Sequence, residues 1–112
     1  MLHRVAPKDA SITDVVARLR NRFGPAAFTV ADHWPDDPCA IGLAAPHEPG
    51  RLAYVATMGR EQGRYDVFLE LPPLPGSESP YEPAGDVHDI DFEGLVSAVG
   101  HHLGLPPSRP AG

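Results

Sequence analysis

Residues 52–71 read Leu52-Ala-Tyr-Val-Ala-Thr-Met58, then Gly59-Arg-Glu-Gln-Gly63, then Arg64-Tyr-Asp-Val-Phe-Leu-Glu-Leu71. In the first run Leu52, Tyr54, Ala56 and Met58 alternate with Ala53, Val55 and Thr57. In the second, Tyr65, Val67, Leu69 and Leu71 alternate with Asp66, Phe68 and Glu70. A period of two with β-branched and aromatic residues is the signature of a strand. The link 59–63 is far too short for a parallel crossover, so the two strands are expected to pair antiparallel.

The same reading extends upstream. Cys39, Ile41 and Leu43 alternate with small residues over Cys39–Ala44, and Phe28, Thr29 and Val30 mark a run over Ala26–Ala31. The links between these runs are short and rich in proline and glycine, which predicts a four-stranded meander. Val87–Ile90 is expected to add a short edge strand, whereas the five prolines of 72–86 predict an irregular loop. Helices flank the strands. Ile12, Val15, Val16, Leu19 and Phe23 form one stripe over 11–23, with Ser11 as the expected N-cap and Gly24-Pro25 as the stop. Phe92, Leu95, Val96, Val99 and Leu103 form a second stripe over 92–103, with Asp91 as N-cap, Ile90 and Leu95 at staple spacing and Gly104 as the stop. The expected fold is α+β: a four- to five-stranded, mainly antiparallel sheet with two helices packed on one face, in the order α-β4-(β)-α. The covered face is expected to carry Ile41, Tyr54, Val67 and Leu69. Arg51, Thr57, Arg64, Asp66 and Glu70 are expected on the solvent face. Gly42, Gly94 and Gly100 lie inside these elements and are read as sites of close packing.

The 112 residues fit one domain, expected over 1–106, with 107–112 as a disordered tail. A chain of this size buries roughly two-thirds of its unfolded surface, enough for one modest core. Fourteen prolines and 11 glycines approach the level at which disorder is the default, but most fall between the periodic runs. One cysteine excludes an intramolecular disulfide framework. No apolar run approaches the ~20 residues that span a bilayer, and Pro7-Lys8-Asp9 interrupts any leader-like start, so the chain reads as cytoplasmic with no membrane role. Eight arginines against one lysine suit a GC-rich bacterial genome.

The net charge of −6 is unevenly spread. Residues 1–64 carry eight basic and seven acidic side chains. Residues 65–108 carry eight acidic ones and no Lys or Arg. This argues against nucleic-acid binding, which rests on clustered cations, and for steering of a basic protein partner. The bland alternative is a solvated acidic surface.

Catalytic and metal constellations are weak. Cys39 with His33 could form a nucleophile–base pair, but the alternation points Cys39 toward the core. His33, Asp36, Asp37 and Cys39 offer ligand atoms in one loop without any paired ligand spacing. His101 and His102 are adjacent and diverge on a helix, so no cofactor and no metal is expected. Asp36-Asp37, between prolines, read first as turn residues. Pro72-Pro-Leu-Pro75 and Pro80-Tyr-Glu-Pro83 fit P-x-x-P, with a stiff loop as the favoured reading. Two aromatics are better placed for contact: Trp34 in a loop, and Phe68 on the polar sheet face beside Val55. In a meander the 33–38 and 59–63 loops share one end of the sheet.

Leu52–Gly59 followed by Gly63–Pro72 resembles the central strands of bacterial Suppressor-of-fused-like domains, in which Thr-x-Gly ends one strand and the next closes on Leu-Pro. The likeness covers about a fifth of the chain, carries no catalytic residue and departs after Pro72. The acidic α-β4-α layout is also similar to immunity proteins of bacterial polymorphic toxin systems. That resemblance implies a non-enzymatic protein-binding domain that neutralises a basic toxin. The expected contact residues are Trp34, Asp36, Asp37, Phe68, Glu78, Tyr81, Glu82 and Asp86. The alternative is a small enzyme or a ligand- or metal-binding domain using the loop end around His33, Trp34, Asp36 and Asp37. A third option is a homodimer, rather than a monomer, formed through an open face at Val55 and Phe68.

Overall fold

The computed structural model of the chain describes residues 8–31 and 36–105. Trp34 and His33, and the expected tail 107–112, lie outside them. The order is α1 (Ala10–Phe23), β1 (Thr29–Val30), β2 (Ala40–Ala45), β3 (Glu48–Ala56), β4 (Tyr65–Leu71), β5 (Glu82–Ile90) and α2 (Phe92–Leu103). The five strands form one antiparallel sheet in sequence order, the expected meander with its fifth strand.

The core lies between the helices and one face of this sheet. Ile12, Val15 and Leu19 of α1 and Leu95, Val99 and Leu103 of α2 meet Leu43, Val55 and Val67 in one buried cluster. Both helical stripes therefore do what their 3.6 periodicity demands. The α1 cap is displaced by two residues. Asp9, not Ser11, is the N-cap: its carboxylate accepts the Ser11 amide (3.0 Å) and the Ser11 hydroxyl (2.6 Å). Ser11 Oγ also shares a 2.8 Å hydrogen bond with Thr57 Oγ1, tying the helix start to the end of β3. An aspartate two positions earlier outcompetes serine because its charged oxygen both caps and meets the helix dipole. α2 follows expectation: Asp91 Oδ1 accepts from Gly94 N (2.8 Å), and Gly104 at φ +70° lets Leu105 N return to Gly100 O (2.9 Å).

Further boundaries move, and β1 keeps only Thr29–Val30 of the expected Ala26–Ala31 run. The β2–β3 link shrinks to the turn Pro46-His47 because β3 begins at Glu48. β5 begins at Glu82 rather than Val87, taking in Pro83 and Gly85. An edge strand tolerates a proline, and two register shifts absorb the misfit. Ala84 is extra between the pairs Leu69↔Gly85 and Glu70↔Pro83. His88 and Asp89 together oppose Asp66, with Asp89 at φ +54°.

The assignment of faces needs correction. Val55 pairs with Val67 under the helices, whereas Tyr54 pairs with both Gly42 and Phe68 on the other face. Tyr54 is therefore not on the helix-covered side. Arg51 and Thr57 are on it: Arg51 Nη1 donates to the His102 carbonyl of α2, and Thr57 meets Ser11 of α1. Val55, fully buried, cannot share an open dimer face with Phe68. The face opposite the helices is not a plain polar surface either. Tyr54 is 1% exposed, and its ring crosses Gly42 to bring its hydroxyl 3.3 Å from the Ala31 carbonyl.

The three glycines expected at close packing, Gly42, Gly94 and Gly100, each sit at a close approach. A Cβ at Gly42 would stand 2.4 Å from Ala31 O and 2.8 Å from Tyr54 Cζ. Gly94 faces Ile90 and the Asp91 cap, and Gly100 faces the Phe23 ring at 3.1 Å.

Candidate interaction surface

β4 and β5 build the surface that carries chemistry. On the face away from the helices, β4 presents Asp66, Phe68 and Glu70. The register sets Asp86 opposite Phe68 and brings His88 over Asp66. Asp66 is the hub. Its Oδ1 accepts from Arg60 Nε (2.9 Å) and from the Asp89 amide (2.9 Å), and His88 Nδ1 lies 3.5 Å away. The other ring nitrogen of His88 is in hydrogen-bond contact with Asp86, and the ring stands edge-on to Phe68 at 5.4 Å. Arg64 holds the strained Asp89 through both its carboxylate (3.0 Å) and its carbonyl.

Burial raises the Asp66 pKa, but the Asp89 amide, the Arg60 guanidinium and the nearby His88 outweigh it. The carboxyl is held below its usual value. A depressed carboxylate stabilises the fold above its unfolded pKa of about 4, and that contribution is lost as pH falls through the folded value. Wild-type stability is therefore expected to drop on going below about pH 4, and the drop to shrink in Asp66→Asn, which keeps the acceptor oxygen but not the charge. Urea midpoints at neutral and strongly acid pH measure both. Equal acid losses in the two proteins would show that Asp66 is not responsible.

The acidic stretch divides once it is folded. Asp66 is bridged to Arg60, Asp89 to Arg64, and Glu93 to Arg22 through two hydrogen bonds of 2.8 and 2.9 Å. Glu70 is buried. Asp91 is spent on its cap. Glu78, Glu82 and Asp86 remain without a Lys or Arg partner among the described residues. Glu78 and Asp86 are exposed and Glu82 is half-buried. Tyr81, 37% exposed, lies among them in sequence, and Val87, 39% exposed, follows on β5.

The expected contact residues thus do not form one site. Phe68 and Asp86 are register partners, and Glu78, Tyr81 and Glu82 lie toward the β4–β5 connection. Asp36 and Asp37 lie at the opposite end, with the 59–63 loop. There Asp37 accepts the Cys39 amide (2.9 Å) and behaves as a turn residue. That end does hold a groove of about 720 Å³, lined by Cys39, Thr57, Arg60 and Arg64 among others, but not by Asp36 or Asp37. Cys39 is half-buried at its wall rather than in the core. His101 and His102 diverge: His101 is exposed, while His102 is buried with Nε2 donating to the Glu70 carbonyl (2.8 Å). Among the described residues no group of three His, Cys, Asp or Glu side chains is placed to hold a metal ion, and no helix is long and apolar enough to cross a membrane. The Asp66–His88–Asp86 cluster has little signature in the sequence. Its one visible signal is the Asp86-x-His88 spacing, which puts both side chains on one strand face.

The fold and this surface define an α+β domain: a five-stranded antiparallel meander with both helices on one side and an acidic, aromatic-bearing patch on β4–β5. Comparison with protein-family models, curated proteins and solved structures returned no match for the chain.

Proposed function

We propose that the chain is a non-enzymatic, cytoplasmic protein-binding domain that captures a basic partner through β5 and the segment before it. The observation that carries this reading is the residual charge. Internal arginines neutralise much of the acidic half, yet Glu78, Glu82 and Asp86 have no Lys or Arg partner among the described residues, and Tyr81 is exposed in the same stretch of chain. Carboxylates along an exposed edge steer a cationic protein, and an exposed aromatic anchors it. The likeness to bacterial immunity proteins supplies the partner class, a basic toxin. Phe68, Tyr81, Glu78, Glu82 and Asp86 would make the contact.

The alternative, a small enzyme or a ligand- or metal-binding domain at the loop end of Asp36 and Asp37, draws on the groove lined by Cys39. It is the weaker reading because neither aspartate lines that groove.

The test is affinity capture from the native cell at low salt, with wild type and Glu78→Lys/Glu82→Lys/Asp86→Lys in parallel. A basic protein is expected on wild type, released by high salt and reduced about tenfold or more on the reversed variant. If nothing basic is retained, or retention ignores both salt and reversal, the reading is wrong.

A further inference from the structure

A second concavity lies away from this patch, between the Pro46-His47 turn and the end of α2. It encloses about 500 Å³, within the range of small-ligand sites. Its apolar wall comes from Ala26, Ala27, Ala45, Leu103 and Leu105. The polar lining is dominated by nitrogen. Arg51 is fixed at two points: Nε donates to Glu48 (2.6 Å) and Nη1 to the His102 carbonyl (3.3 Å). Its Nη2 has no partner among the described residues, and neither do the imidazoles of His47 and His101. The one lining carboxylate, Glu48, is engaged by Arg51 Nε. The remaining Arg51 N–H groups take an acceptor, and a fixed guanidinium favours a planar anion.

We propose that this cleft binds a carboxylate carried on a short apolar body: the carboxylate on Arg51 Nη2 and the imidazoles, the body on the alanine–leucine wall. The charge of Arg51 is already offset by Glu48, so the carboxylate is held by directed N–H groups more than by net charge. His47 and His101 flank the cleft, together with Glu48, Arg51 and the buried His102; the Ala26-Ala27 side brings no titratable group. This proposal is independent of the protein-binding reading, since the cleft shares no residue with the β4–β5 patch.

The experiment is an amide-shift titration of the full chain with hexanoate at neutral pH, with hexanol and hexylamine as controls. Hexanoate is expected to shift amides of Ala45–Arg51 and His101–Leu105, several-fold more tightly than either control. Arg51→Gln is expected to weaken it about tenfold. Arg51 also braces the α2 terminus, so His101→Gln serves as a second variant, with a smaller loss. N-acetyl-leucine distinguishes sources. Its binding in place of hexanoate identifies a peptide chain end, and the reverse identifies a small organic acid. Equal binding of hexanol, shifts elsewhere, or no shift from either acid at tens of millimolar overturns the proposal.

Discussion

Gly42→Ala is expected to destabilise the protein by about 3 kcal/mol, the upper part of the range for overpacking a closed site. The added methyl would stand 2.4 Å from a backbone carbonyl, that of Ala31, and 2.8 Å from the Tyr54 ring. A flexible side chain could yield, but here one obstacle is backbone. The Ala31 amide in turn donates to the Gly42 carbonyl (2.8 Å), so the two chains cannot separate without losing that bond. Total stabilities of about 5–15 kcal/mol make such a loss large. Tyr54→Ala alone is expected to cost about 3–5 kcal/mol, as for other buried aromatics. The double variant should cost less than the sum of the two, because removing the ring removes one of the two clashes while the Ala31 contact remains. Urea unfolding of the four proteins closes the cycle. A Gly42→Ala protein as stable as wild type would mean that Tyr54 does not lie across Gly42.

The second large effect separates the two faces of β4 at adjacent positions. Val67 is fully buried against the helices, whereas Phe68 is only partly buried on the other side, next to Asp86. Val67→Lys places an unpaired ammonium in the core and is expected to abolish folding or cost well over 4 kcal/mol. Phe68→Lys exchanges an edge-on ring contact for a cation beside carboxylates, and is expected to cost about 1–2 kcal/mol while leaving circular dichroism unchanged. Similar damage from both substitutions would contradict the facing described above.

Much of this architecture is legible in the sequence. The caps, stripes and turn residues of α2 are local and agree with one another, so its ends fall where expected. The meander follows from link length alone. The faces of β3 are less legible for a specific reason. Both of its alternating sets are apolar, Leu52 and Tyr54 against Ala53 and Val55, so periodicity does not say which set is covered. Side-chain size points the wrong way. Tyr54 is accommodated away from the helices because β2 offers Gly42 there, and that compensation sits on a different strand. The extent of β5 is hidden because Pro83 and Gly85 look like loop residues until the bulges that absorb them are seen. The charge asymmetry is real in the chain, yet its partners are distant: Arg22 meets Glu93 across 71 positions and Arg64 meets Asp89 across 25. No local pattern announces either pairing. The candidate site suffers in the same way, since Asp66, His88 and Asp86 become neighbours only through the β4–β5 register.

The irregular course of β5 bears on how this molecule keeps company with others. Pro83 has no amide hydrogen to offer. Ala84 and Asp89 each throw the outward row of donors and acceptors out of step, and acidic side chains flank it. A second copy arriving edge-on would find a broken ladder and a charge like its own. The strand thus ends the sheet instead of extending it, and whatever binds here must be recognised through side chains, not by lengthening the backbone network.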